Sequence, residues 1–226
     1  MPKCKLCLTL FSEPLTAANF YKSPEILCEH CRQAFETCRL EKVKRCPRCL
    51  KPLDESEEAC LDCQFLARKF NLMHQLYCDY RYTGKVRETI HQYKIAGDTA
   101  LCEVIANLIR LPKQQYDYII PIPSPIARDQ QRTFNPVEMV LAAKGVKYHL
   151  ILQTDVRPKQ STLNKAMRAK APNPFYINPV FQDVDLQNKR ILLVDDIYTT
   201  GLTAHHAIEA LFIRKVGKID VFAFAR

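Results

Sequence analysis

The sequence predicts an α/β protein: a mainly parallel sheet flanked by helices, preceded by a small cysteine-rich module. Three observations carry this. Four Cys-x-x-Cys pairs fall within the first 63 residues. From residue 76 onward, short apolar runs alternate with stretches of helical periodicity, as in a sheet assembled from strand–helix–strand units. Composition shifts near residue 70: residues 1–70 contain no glycine and carry 12 basic against 10 acidic side chains, whereas residues 71–226 carry 21 against 14. The expected organisation is therefore a stapled module over 1–70 and a globular domain over 71–226. A chain of 226 residues with 47% apolar and 25% charged content can bury a real core and is not a disordered tail.

In the first module the pairs are Cys4/Cys7, Cys28/Cys31, Cys46/Cys49 and Cys60/Cys63. Two residues between thiolates let both sulfurs of one turn reach a tetrahedral ion at about 2.3 Å, which points to two structural Zn²⁺. Taken in order, the pairs make two ribbons, Cys4-Cys7-Cys28-Cys31 and Cys46-Cys49-Cys60-Cys63; an interleaved cross-brace is the alternative. A module this short with so little aliphatic content needs such staples. Cys38, Cys78 and Cys102 lack a partner at metal spacing and read as small buried residues. The thiol-rich chain begins Met1-Pro2-Lys3-Cys4-Lys5, without the apolar core of a signal peptide, and no run nears the ~18 apolar residues of a membrane span. The expectation is a cytoplasmic protein with no membrane insertion.

In the second part, Leu76, Cys78, Tyr80 and Tyr82 alternate with polar or half-polar neighbours, a half-buried strand ending at Thr83-Gly84. Residues 85–93 and 98–110 read as helices, the second with Leu101, Ile105 and Leu108 on one face. Tyr118-Ile119-Ile120 is a short buried strand stopped by Pro121. Asn135-Pro136-Val137-Glu138 opens a helix with a capping residue, proline at the first position and an acid in the first turn; Gly145 closes it. Ile191 to Val194 is a fully apolar strand, Ala204 to Phe212 keeps helical spacing, and Ile219 to Phe224 is the last strand.

Between the strand at 191–194 and the following helix lies Asp195-Asp196-Ile197-Tyr198-Thr199-Thr200-Gly201-Leu202-Thr203. Carboxylates at the end of a sheet strand, followed by hydroxyls and a glycine at a helix start, suit a sugar phosphate. The backbone N–H groups and threonine hydroxyls would hold a dianionic phosphate, Gly201 would admit close approach, and the two acids would accept from vicinal ribose hydroxyls. His205 and His206, further along the helix, are expected on a solvated face.

This stretch resembles the 5-phosphoribosyl-1-pyrophosphate (PRPP) loop of type I phosphoribosyltransferases. That resemblance implies a phosphoribosyltransferase-like parallel sheet, PRPP binding by Asp195, Asp196, Thr199, Thr200, Gly201, Leu202 and Thr203, and Mg²⁺ carried by the ligand. It implies a second, pyrophosphate loop after the strand at 118–121, where Ile122, Pro123 and Ser124 stand. Together with the knuckles, with Tyr82-x-Gly84 and Lys94, with Arg132-x-Phe134-Asn135 and with Arg157-x-x-Gln160 to Arg168, the whole chain is similar to the ComF/GntX family. Membership implies a role in DNA uptake during natural transformation beside a DNA-translocating competence helicase, and no assigned transferase reaction. The family usually has glycine where Thr133 stands and asparagine near Ala171. Where purine-salvage transferases place an acid, this sequence has Thr199, which disfavours purine transfer; enzymatic activity is left open, as is the acceptor.

The net charge of +9 favours polyanions. From Val156 to Gln182 there is no acid, while Arg157, Lys159, Lys165, Arg168 and Lys170 are positive. The expectation is a mobile basic loop or hood that tracks single-stranded DNA or closes over PRPP, with Lys94, Arg132, Arg157, Lys165 and Arg168 as nucleic-acid or phosphate contacts. Three functions are thereby distinguished: a PRPP-binding protein that handles single-stranded DNA, a phosphoribosyltransferase, or an adaptor docking the helicase through its zinc module.

Overall fold

The computed structural model describes the chain apart from residues 14–15, 18–19, 22–23, 55–56, 126–128, 131 and 155–171. Its centre is a four-stranded sheet of β1 (Leu76–Tyr77), β2 (Tyr118–Pro121), β5 (Arg190–Ile197) and β6 (Lys218–Ala225). The spatial order is β1-β6-β5-β2 and every pairing is parallel. A separate antiparallel pair joins β3 (Leu152–Thr154) to β4 (Phe175–Ile177). Helices α3 (Gly84–Ile95), α4 (Leu101–Leu108), α5 (Pro136–Ala143) and α6 (Leu202–Phe212) supply the flanks, and two short helices, α1 (Glu29–Glu36) and α2 (Leu61–Ala67), belong to the cysteine-rich segment. The expected α/β class with a parallel sheet is the observed one.

The two inner strands are apolar on both faces because both faces are covered. Along β5, Ile191 and Leu193 enter one core with Ile208 and Leu211 of α6, while Leu192 and Val194 enter the other with residues of α3, α4 and α5. Strand β6 divides its side chains in the same way: Ile219, Val221 and Ala223 on one face, Phe222 and Phe224 on the other. Two-sided burial is what makes these strands read as continuous apolar runs. Asp220 is the exception in β6. It is fully buried, accepting from Tyr116 at 2.9 Å and lying 3.1 Å from His74 Nδ1 and 3.7 Å from Lys218 Nζ.

Local chemistry sets the boundaries. Asn135 caps α5 as expected, its Oδ1 accepting from the N–H groups of Val137 (3.0 Å) and Glu138 (3.2 Å) with Pro136 behind it. Gly217 permits the tight entry to β6, since a Cβ there would lie 2.7 Å from the Asn188 carbonyl oxygen.

Two expectations need correction. The strand expected over 76–82 pairs in the sheet only at Leu76 and Tyr77. Burial still alternates to Tyr80, but Tyr80 bridges to Arg39 of the cysteine-rich segment instead. Of the segment expected to be a mobile basic loop, residues 172–182 are ordered. Phe175–Ile177 form β4, Pro179–Phe181 a 3₁₀ turn capped by Asn178, and Asn173 donates to the His206 carbonyl at 2.8 Å and to Glu209 at 3.0 Å. No helix among the described residues is long and apolar enough to cross a membrane.

Candidate metal centres and phosphate-binding site

The cysteines gather into two clusters, Cys4-Cys7-Cys28-Cys31 and Cys46-Cys49-Cys60-Cys63, with the ligand atoms of each within 4.8 Å of one another. The sequential pairing is thus the one the chain adopts. Sulfur separations of 3.7 Å (Cys7–Cys28), 3.7 Å (Cys46–Cys63) and 3.3 Å (Cys49–Cys60) approach the ~3.8 Å edge of a tetrahedron with ~2.3 Å zinc–sulfur bonds. The residues fit a thiolate-bound metal.

Each centre is built the same way. A hairpin knuckle is closed by Cys4 N–H to Thr9 O (2.9 Å) and Leu8 N–H to Cys4 O (2.9 Å), and its counterpart by Cys46 N–H to Lys51 O (2.8 Å) and Leu50 N–H to Cys46 O (2.9 Å). The turn residues Leu8 and Leu50 take the same left-handed backbone, φ 63° and 60°. The second half of each centre is a helix start, with Cys28 at the N-cap position of α1 and Cys60 at that of α2, where its sulfur accepts from Cys63 N–H. The Cys63 N–H points at Cys60 Sγ, 3.4 Å away, so the helix N-terminus favours negative sulfur. In the second centre, a hydrogen bond from Cys63 with further N–H donors draws Cys49 down to about 4, while its neighbours Cys60 and Cys63 are raised. Four thiols this close cannot all ionise without a cation among them.

The second site lies at the carboxyl ends of β5 and β2. Here Asp195, Asp196, Thr203, Ile122, Pro123, Ser124, Lys94 and Arg132 line one cavity of about 190 Å³, together with Asn135. Lys94, from the last turn of α3, forms an ion pair with Asp196, each side chain 18% exposed. The Asp195 carboxylate accepts from the Asp196 N–H at 2.9 Å. Across the cavity, Ser124 donates to Asp129, and Asn135 Nδ2 lies 3.3 Å from both Ser124 Oγ and Asp129 Oδ2. Burial, with Asp129 nearby, raises Glu138 behind this wall.

Gly201 caps α6 in left-handed conformation, φ 79°. There the free N–H groups of the first turn begin at Leu202. Thr199, Thr200, Gly201 and Leu202 belong to this connection and do not themselves line the cavity. Thr133, where glycine was expected of the family, has φ 67°, a region glycine favours and a branched residue enters only under strain. Arg157, Lys165 and Arg168 lie outside the described residues.

His205 and His206 are not on a solvated face. They are 0% and 7% exposed, and Phe70 packs against both, its ring centroid 6.0 Å from that of His205 and 5.0 Å from that of His206. Burial drops His205 to about 4, and its Nδ1 lies 2.8 Å from the Gly201 carbonyl oxygen. Sequence reading missed Asn135 and Asp129 as parts of the site; Asn135 stood out only as a helix cap and as the end of the Arg132-x-Phe134-Asn135 motif, and nothing local marked Asp129.

No model of a known protein family matches the chain. It is 30% identical over 230 residues to competence protein ComFC of Streptococcus pneumoniae, covering 99% of this chain and 98% of that protein. It is 25% identical over 236 residues to ComFC of Bacillus subtilis, covering 99% and 94%. Among solved structures it is similar to an allosteric regulatory enzyme of purine biosynthesis, with TM-score 0.33 and 16% identity over 56% of this chain and 25% of that one. A hypoxanthine phosphoribosyltransferase from Staphylococcus aureus gives TM-score 0.27 and 12% identity, over 70% and 69%. The match to the pneumococcal protein, 30% identical over almost the whole of both chains, means that this chain belongs to the ComFC family of competence proteins.

Proposed function

We propose that the chain binds PRPP, with its Mg²⁺, in the cavity at the ends of β5 and β2, and that it serves DNA uptake in natural transformation by handling single-stranded DNA. The observation that carries the reading is the meeting of Asp195, Asp196 and Thr203 with Lys94, Arg132 and the Ile122–Ser124 loop around one cavity of about 190 Å³. Its parts match the parts of the ligand. Two carboxylates suit vicinal hydroxyls, the helix start beyond Gly201 suits the 5-phosphate, and two cations facing a proline-stiffened loop suit the pyrophosphate.

The competence role rests on the ComFC relatives, and the single-strand contact on the basic residues 157–170. The two cysteine centres would hold structural Zn²⁺, which stabilises the knuckles by drawing the thiols to thiolate and supplies no chemistry to the cavity. Calorimetric titration with PRPP and Mg²⁺, repeated in the presence of single-stranded DNA and assayed for pyrophosphate, tests the whole reading. PRPP binding without pyrophosphate release is the expected outcome. Absence of PRPP binding would sink it, and release that requires a second substrate would replace it with a transferase.

A further inference from the structure

Tyr198 follows β5 directly and is 2% exposed, in the same core as Cys46, Cys49, Cys60 and Cys63. Its backbone N–H donates to the Ala225 carbonyl at 2.9 Å, which pins the residue beside the end of β6. The far end of its ring reaches the helix start: a Cβ on Gly201 would lie 2.1 Å from the Tyr198 hydroxyl oxygen. That hydroxyl has no hydrogen-bond partner among the described residues, so the ring acts here as a wedge and not as a donor.

Arg226 ties the same wedge to the second cysteine centre. Its Nε donates to the Cys49 carbonyl, its Nη2 lies 3.4 Å from Cys49 Sγ, and its guanidinium carbon sits 5.7 Å from the Tyr198 ring centroid. The arginine is itself held by Arg226 N–H to Tyr80 O (3.0 Å) and Tyr82 N–H to Arg226 O (2.7 Å). An arginine N–H on a ligating sulfur is an outer-shell contact, of the kind that orients the ligand and tunes its hold on a metal. The first cysteine centre packs on the other face of the sheet, with Cys4 and Cys31 in the opposite core.

We propose that Tyr198 is a positioning residue that seats the loop between β5 and α6 on the second cysteine centre, with Arg226 as the tie between them. The direct link from the loop to a cysteine centre then runs to the second centre and not to the first. The proposal uses the PRPP reading only in its ligand arm.

The test compares the fully metallated parent with Tyr198→Phe, Tyr198→Leu and Arg226→Met. It measures amide hydrogen exchange at residues 199–204, metal release to a chelator, and titration with ribose 5-phosphate. In Tyr198→Leu, exchange at 199–204 is expected to rise at least tenfold while β5 and β6 keep their protection, and ribose 5-phosphate affinity falls by a similar factor. Tyr198→Phe retains the wedge and tracks the parent. Arg226→Met speeds the release of one metal of two and loosens the same loop amides. Parental loop exchange in Tyr198→Leu, or parental release of both metals in Arg226→Met, overturns the proposal. Should Tyr198→Leu not fold, Arg226→Met decides alone, since it removes a half-buried side chain. If the parent does not bind ribose 5-phosphate, the functional reading fails while the exchange and release arms still decide this one.

Discussion

Asp196 and Lys94 neutralise each other across the cavity. In the proposed PRPP complex a ribose would replace the ammonium at Asp196, and the ammonium so displaced would be placed to meet phosphate. Hydrogen bonds to a charged group contribute about 1.5–3 kcal/mol. Asp196→Ala is therefore expected to weaken PRPP roughly tenfold or more, while inorganic phosphate binds as well or better because Lys94 is freed; calorimetry with both ligands separates the two effects. Gly201→Val acts differently from what the sequence suggests. The new side chain strikes Tyr198 before any phosphate, so lost stability as well as lost binding is expected.

His205 gives a pH signature. Arg48, Cys49 and His206 face it, and burial holds it near 4 against an ordinary ~6.5. The unfolded chain binds the proton more readily, so this contribution is complete above about pH 6.5 and fades as pH falls toward 4, by roughly 3 kcal/mol in all. His205→Asn keeps a donor for the Gly201 carbonyl without titrating. Its denaturation midpoint should vary less with pH over that window, and an identical pH dependence would refute the assignment. At this scale the strand-end acids and glycine were legible because their chemistry is local. The burial of His205 was not, since it depends on Phe70 and on the second cysteine centre with Arg48 and Cys49, which are far away in sequence.

At the scale of elements, β5 and β6 carry both cores, and each cysteine centre beds into one of them. A division into a stapled module over 1–70 and a separate domain over 71–226 would let chelation unfold the first alone. The shared cores predict more. Structural zinc is worth on the order of 10 kcal/mol per site, comparable to the whole stability of a domain. Stripping both metals should abolish the sheet and the helices in one transition, followed by far-ultraviolet circular dichroism against metal content. A stable sheet after complete removal would contradict this. Apolar strands buried on both faces, and α5 with its Asn135 cap, were readable because period and capping are properties of a few neighbours. β1 was overread since its later residues turn to the cysteine-rich segment, through the Arg39–Tyr80 bridge. β4 was missed because Phe175–Ile177 sit among prolines and asparagines and pair only with the distant β3.

Over the whole molecule, charge makes the remaining prediction. If the basic stretch contacts nucleic-acid phosphates, replacing Arg157, Lys165 and Arg168 with alanine should weaken single-strand binding. The log–log salt slope should become shallower by about 0.7 per lost contact. Unchanged affinity and slope, by filter binding across a salt series, would assign those charges to solvent alone. The paired knuckles have a consequence for engineering. Each hairpin closes on its own backbone bonds, and beside the cysteines a few contacts tie it to the half that completes the centre, Lys5 N–H to Ile26 O (2.8 Å) in the first and Lys51 Nζ to Asp62 Oδ2 (2.8 Å) in the second. The connecting stretches hold 20 residues after Cys7 and 10 after Cys49, and one doubling of a loop costs only about 0.6 kcal/mol of closure entropy. The longer stretch is therefore the natural point to splice in a fluorescent or affinity cassette, leaving both ends of the sheet untouched.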